Sequence, residues 1–485
     1  MSEVAPPEIT FPKGAADLGS RAVLNTALLL GARIASRLAL LVLVLVMANH
    51  LGAAGYGRYS SLVTYSGILS ILTDFGLNIL YTREAARNPA ALPRFLATMA
   101  AGKLPLLPLG FIALALAATK AGLGSLVVPG IALMAASTYV NLLRNTFYAV
   151  GRLEFEAVAV LAETVIQGGG ILYGVTHGGD VAFFLLVYAA SYTFTCVYTL
   201  VVVPVFRLAE GRPALDPALF VKWLVLALPI AAGSLLTNLY FKADVPLLLH
   251  FRPAAEVGWY TLAYKPFEAL QFIPLALQSV VYPVLSVRFV QAQDRLNRAY
   301  HEFFRILVLL GLPLTAGTFV LAHPIGRFFH LFPQSHVSLR ILALAIVFLF
   351  VNSAFTAMFY SVNRQHLFAW TTGIAVVVNV GLNLAFIPRW GYLATSANTV
   401  ITEAAFSVVA WWFLRARQPL PWLRLTWRML PATLLLAGVA YWFSDHSLLI
   451  AAPLAGVAYL VGLWIFRAVS PEELDLFLRG LRLRR

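Results

Sequence analysis

Apolar residues along this chain neither alternate nor fall at helical intervals; they gather into runs of about twenty, separated by short polar segments. A helix of that length rises ~30 Å, enough to cross the hydrocarbon core of a bilayer. The first run, 25–48, follows a polar, proline-containing stretch and is too long for a signal-peptide core, so it reads as a retained helix. Further runs fall at 59–81, 95–118, 123–143, 157–175 and 181–206, then at 223–249, 259–285, 303–322, 338–362, 367–387 and 392–414, with a last pair at 429–443 and 447–466. The pattern predicts an all-α polytopic membrane protein of fourteen transmembrane helices: two six-helix bundles around a central cavity, plus two extra C-terminal helices. Its parts are a tail (1–24), a first bundle (25–206), a linker (207–222), a second bundle (223–414), two additional helices (415–466) and a tail (467–485). In that last tail Ser470, Pro471 and Glu473 have the order of an N-cap, first helical position and capping-box acid. Leu474, Phe477, Leu478 and Leu481 then share a face opposite Arg479 and Arg482, as in a helix lying on the membrane surface.

Composition agrees and adds an orientation. The chain has 485 residues, 60% hydrophobic and 12% charged, which excludes an ordinary soluble fold. Its net charge of +14 suggests loops facing a cytoplasm and anionic lipid rather than nucleic acid. With an even number of spans both termini share a side; that side carries 23 of the Lys and Arg residues outside the spans and the other carries 5. Both termini are therefore expected in the cytoplasm. Cys196 is the only cysteine, so no intrachain disulfide and no cysteine-based metal site can form. Nothing resembles a nucleotide-binding P-loop, and no cofactor is expected; Gly102, Pro105, Pro108 and Gly110 read as kinks in the third span. Trp259, Trp390, Trp411, Trp412, Trp422, Trp427 and Trp442 fall near span ends, as in an interfacial belt.

A short repeat is visible. Ala53, Ala54, Gly57 and Tyr59, after the first span, recur 201 residues later as Ala254, Ala255, Gly258 and Tyr260, after the seventh. Six spans separate the copies, so the halves would share an orientation and be related by an axis along the membrane normal.

Three segments carry a family resemblance: Leu51 to Ser60, Asp74-Phe75-Gly76-Leu77, and Asp244 through Glu256 to Tyr260 leading to Tyr282-Pro283-Val284-Leu285-Ser286. With these the chain resembles the polysaccharide exporters of the multidrug/oligosaccharidyl-lipid/polysaccharide superfamily, the Wzx-type O-antigen flippases. The resemblance implies a flippase, not an enzyme, in a bacterial or archaeal plasma membrane. It would move an undecaprenyl-diphosphate-linked oligosaccharide outward by alternating access, with membrane lipids and possible polysaccharide assembly proteins as partners.

Ionisable residues inside spans are the default functional candidates, because a charge at the bilayer centre costs ~2.5–3.5 kcal/mol or more. Arg33 and Arg37 lie four apart on one face of the first span, and Asp74 on the second shares the depth of Arg33. An Arg33–Asp74 pair would leave Arg37 to meet a diphosphate through its forked donors. Lys242 and Asp244 lie on the seventh span, too close in sequence to share a face; Lys265 and Glu268 lie on the eighth, where they can pair. A cationic substrate site of Arg33, Arg37, Lys242 and Lys265 follows, with Asp74, Asp244 and Glu268 as ion-pair or coupling groups. Glu163 and Glu403 stand as isolated carboxylates in the fifth and twelfth spans, candidates for a coupling proton or cation. Pro229, Pro246, Pro266, Pro274 and Pro283 should kink the seventh and eighth spans where they line a cavity, and Tyr65 or Tyr264 could stack on sugar. Three other functions suit a polytopic chain: a multidrug or cation exporter, a peptidoglycan-precursor flippase, and a polyprenyl-linked glycan polymerase or ligase. The first would favour acidic cavity residues. The last needs a large outer loop with catalytic groups, whereas the longest, 323–337, holds His323, His330 and His336 but no carboxylate.

Overall fold

The computed structural model describes residues 15–209, 211–291 and 293–469, and among them every regular element is a helix. The first helix begins at Ala15, inside the stretch expected to be tail. Hydropathy marks where a helix enters lipid, whereas Ala15, Ala16 and Leu18 are helix formers that extend it beyond. The surface helix expected in 470–485 lies outside the described residues.

Eleven described helical segments are long and apolar enough to cross a membrane. The apolar runs predict fourteen; two of the eleven segments are each two helices joined at a non-helical glycine, and the helix Met429–Trp442 is shorter than the rest. Gln365–Leu414 has 50 residues and would run ~75 Å if straight, more than twice a bilayer core. Its backbone turns at Gly391 (φ 53°), and Asn398 donates to Asn383 at 2.9 Å, a contact that 15 residues of straight helix would forbid. Leu28–Asp74 breaks likewise at Gly52 (φ 68°). Before that break Ser36 meets Thr164 of the fifth span at 2.5 Å; after it Ser60 meets Thr261 of the eighth at 3.0 Å.

The repeat governs how the halves meet. A Cβ on Gly57 would stand 1.7 Å from the Ala254 carbonyl oxygen, and one on Gly258 would stand 2.0 Å from that of Ala53. Each glycine thus packs on the backbone that its own copy's neighbour occupies in the other half. Ser60 and Thr261, hydrogen-bonded at 3.0 Å, are 201 residues apart, as are the repeat copies. A contact between equivalent positions lies on a two-fold axis. Small residues let helix backbones approach this closely where lipid supplies no hydrophobic drive. At the same end Asn49 donates to the His330 carbonyl at 2.9 Å, so the two halves touch there.

The offset extends to the helix breaks. The second span is interrupted at Ser70 and the eighth at Gln271, again 201 apart. In the seventh and eighth spans the breaks fall at Ala243 and Gln271, about one turn before Pro246 and Pro274. A proline ring clashes with the carbonyl four residues earlier, so the break precedes the ring. The second span breaks again after Asp74, where Phe75 (φ 47°) and Gly76 (φ 75°) are left-handed. The third span divides at the tight turn Leu104–Leu106, near its expected kinks. At the start of the seventh span Asp216 caps the helix by accepting from the Leu219 amide at 2.9 Å and pairs with Arg94. The amide first, and then the guanidinium, hold its carboxyl below the usual range.

Candidate functional site

Between the halves, three cations surround one carboxylate. Arg37, exposed on the first span, has its guanidinium 6.0 Å from the Phe272 ring of the eighth. Lys242 reaches across from the seventh span, its ammonium 3.0 Å from where a Cβ of Gly67 would stand. Lys265 and Glu268 form an ion pair at 2.9 Å, with 34% and 50% of their side chains exposed. Glu268 lies within electrostatic reach of Arg37 and Lys242, and Lys265 within reach of Tyr56 and Tyr188 from the first half. The kinked eighth span places Glu268 about one turn and Lys265 about two turns before its break at Gln271, while the glycine at 67 leaves room for Lys242. Side chains from both halves thus present three positive charges and one negative to accessible space, an arrangement suited to a multiply charged anion.

The expected Arg33–Asp74 pair is not formed. Arg33 is hydrogen-bonded to Tyr148 and lies 3.4 Å from Glu156, whose side chain is fully buried. Asp74 instead takes Lys103, 2.7 Å away and itself fully buried; Lys103 also donates to Asn78 at 2.8 Å. Equal depth is necessary for a pair, but adjacency decides it: at this level the first span packs against the fourth and fifth, and the second against the third. Arg33 remains 43% exposed.

Glu163 is not isolated either. Arg144 of the fourth span binds it at 2.5 Å and approaches Glu156 at 3.5 Å, while Thr195 donates to Glu163 at 3.3 Å. Arg144 falls just beyond the apolar run 123–143, yet its helix, Val127–Ala149, carries it inward. The result is a network of two arginines and two glutamates joining spans one, four, five and six. Sequence reasoning missed Lys103, Arg144 and Glu156. Lys103 stood openly inside an apolar run; the other two lay within one residue of a predicted span boundary.

Two carboxylates of the second half have neutral partners. Asp244, buried, accepts from Tyr260 at 2.8 Å, Asn383 at 2.7 Å and Thr399 at 3.4 Å, with Asn379 behind Asn383. Among the described residues it has no ion pair; Lys242, two residues away, lies instead beside Gly67 of the second span. Glu403 accepts from Asn352 at 2.7 Å and forms part of the wall of a cavity of about 210 Å³ with Tyr240, Phe241, Phe368 and Phe406. The asparagines at 379 and 383, four apart in an apolar run, were a readable signal of a polar helix face. Tyr264 packs on Tyr260 and Phe267, and Tyr188, hydrogen-bonded to Tyr192 at 2.9 Å, lies within electrostatic reach of Lys265. Between the short helix Ala322–Phe328 and the helix that begins at Pro333, ring nitrogens of His323 and His336 lie 2.9 Å apart.

The polysaccharide biosynthesis protein family matches residues 22–289, and the family of lipid II flippase MurJ matches 268–454. No curated protein sequence matches this chain significantly. Among solved structures, lipid II flippase MurJ in an inward closed conformation superimposes with a TM-score of 0.74 at 14% identity, covering 91% of this chain and 98% of that one. An inward-facing multidrug resistance MATE transporter of the MOP superfamily gives 0.60 at 15% identity, over 79% and 94%. A MOP superfamily transporter from Pyrococcus furiosus, described for the reverse polarity of its binding pocket, gives 0.53 at 14%, over 81% and 94%.

Proposed function

The chain belongs to the polysaccharide biosynthesis protein family of the MOP superfamily, and on that premise we propose that it flips an undecaprenyl-diphosphate-linked oligosaccharide from the cytoplasmic to the outer leaflet. The observation that carries this reading is the grouping of Arg37, Lys242 and Lys265 around Glu268. One negative charge among three positive ones leaves an excess suited to a diphosphate. Arg37, which has no ion pair or hydrogen bond among the described residues, supplies a forked donor to it. Lys242 and Lys265 supply point charges from the other half, and Arg33 lines the approach with its exposed edge. Tyr188, within reach of Lys265, lies where the first sugar would follow.

Alternating access runs through the two-fold contact. With the 53–60 and 254–261 segments closed together, the site is shut at that end, which the distribution of basic residues assigns to the side away from the cytoplasm. Outward transport parts this contact. A polyanion leaving a negative cytoplasm gains ~2.3 kcal/mol per charge per 100 mV, so no ATP site is required. Asp244 and Glu403, lacking cationic partners among the described residues, are the candidates for a coupling proton or cation. The match of residues 268–454 to the MurJ family favours a second substrate, the peptidoglycan precursor, whose diphosphate the same cations would hold. In either case the protein resides in a plasma membrane and acts beside enzymes of glycan assembly.

Reconstitution into liposomes with a fluorescent undecaprenyl-diphosphate oligosaccharide tests the proposal. Wild-type protein should carry the lipid to the opposite leaflet, and Arg37→Ala should slow it by about tenfold or more, the scale of one lost charge-assisted contact. Export of organic cations with no movement of any diphosphate lipid would overturn it.

A further inference from the structure

A second cationic site stands apart from the seam, at the end of the molecule where His301 meets the Pro419 carbonyl. It is a cleft of about 300 Å³ walled by Phe289, Gln293, Val362, Arg364, Arg417 and Gln418. Four chain segments meet there: the end of the eighth span, the start of the ninth, the turn between the tenth and eleventh, and the end of the twelfth. Neither guanidinium has an ion pair or side-chain hydrogen bond among the described residues, and no acid lines the cleft. Arg364 is also the N-cap of the helix that begins at Gln365; no side chain caps that helix and no acid occupies its first turn. Its leading amides and positive dipole end thus add to the two arginines. An independent observation points to a ligand. Gln418 is 3% exposed, and its side-chain oxygen has no hydrogen-bond partner, which calls for a donor beside the anion. Exposed tryptophans Trp412, Trp422 and Trp427 flank this segment, with Arg415 over Trp411 and Trp412, the composition of a membrane interface.

We infer that this cleft binds the phosphate of an anionic glycerophospholipid headgroup, with Arg364 and Arg417 on the phosphate, the open helix end behind it, and Gln418 accepting from the headgroup hydroxyl. The same chemistry would admit free phosphate; the aromatic collar favours the lipid. Bound there, a headgroup ties the ends of the eighth to twelfth spans together on one face.

Calorimetric titration of the full chain in detergent with short-chain phosphatidylglycerol tests this, with short-chain phosphatidylcholine and inorganic phosphate as the other arms. Phosphatidylglycerol should bind and phosphatidylcholine should not. The Arg364→Ala/Arg417→Ala variant should weaken binding by about tenfold or more, while Arg295→Ala/Arg298→Ala, at exposed arginines outside the cleft, leaves it unchanged. Should the double alanine variant not fold, Arg364→Gln and Arg417→Gln read the same loss singly. Displacement of the lipid by millimolar phosphate would support the site and assign it to a soluble anion. Unchanged binding in the arginine variants, or equal affinity for phosphatidylcholine, overturns it.

Discussion

An ammonium with no solvent exposure depends wholly on its partners, and Lys103 has two, Asp74 at 2.7 Å and Asn78 at 2.8 Å. Removing one partner of a buried pair costs about 3–5 kcal/mol, whereas replacing both by apolar groups is often close to neutral. Asp74→Asn should therefore lower thermal stability in detergent strongly, and Asp74→Leu combined with Lys103→Met should recover most of the loss. Additive losses in the double variant would show that the two side chains act separately. At this scale the sequence was partly legible. It disclosed which charges lie in apolar runs and that Lys265 and Glu268, three apart, can pair. It did not disclose that Arg33 would choose Glu156 over Asp74, because a pairing between helices depends on which helices are neighbours, and hydropathy is silent on that.

Among elements, the paired contact of the second and eighth spans is decisive. A methyl group at Gly57 or Gly258 would stand 1.7 or 2.0 Å from a carbonyl oxygen, a clash that no rotamer change can absorb; the helices must separate. Gly57→Ala and Gly258→Ala should each hold this end apart and, by the two-fold relation, to a similar degree. Distances between spin labels placed at Lys120 and Arg327 would report it, with both variants shifted to longer separations than wild type. The opposite perturbation is a cross-link. Ser60→Cys with Thr261→Cys, made in a chain whose Cys196 is replaced, should form a disulfide under oxidation, stop lipid flipping, and release it on reduction. Flipping that survives the cross-link would mean that transport does not need this contact to open. The repeat and the reversal near Gly391 were both legible, the first as a spaced motif and the second as the polar gap Pro388 to Gly391 between two apolar runs. The break at Ser70 was not, since no proline lies in the second span; only its copy at Gln271, a turn before Pro274, gives it away.

For the whole molecule, the asymmetry of basic residues predicts a single orientation. A tag fused after Arg485 should be reached by membrane-impermeant reagents only once the cytoplasmic face is opened; labelling from outside would reverse the direction of transport proposed here. The helical membrane architecture was readable because apolar runs follow directly from bilayer thickness. Helix length alone does not give the number of spans, because two of the long segments each hold two helices that meet at a non-helical glycine, Gly52 or Gly391. The cationic site was legible as a list of residues but not as an arrangement, because Arg37 and Lys242 meet only when two parts of the chain about two hundred residues apart are brought together.

The reciprocal packing of Gly57 on Ala254 and Gly258 on Ala53 has the form of a homodimer interface, in which residue i touches j and j touches i. Ser60 facing Thr261 is, in those terms, one position facing itself across a symmetry axis. A dimer of two separate chains must change both sides of such an interface at once, since each mutation appears twice. Joining the halves in one polypeptide removes that constraint. One copy keeps serine while the other takes threonine, one half builds a buried arginine–glutamate network while the other builds a neutral cradle for Asp244, and the closing surface they share stays in register.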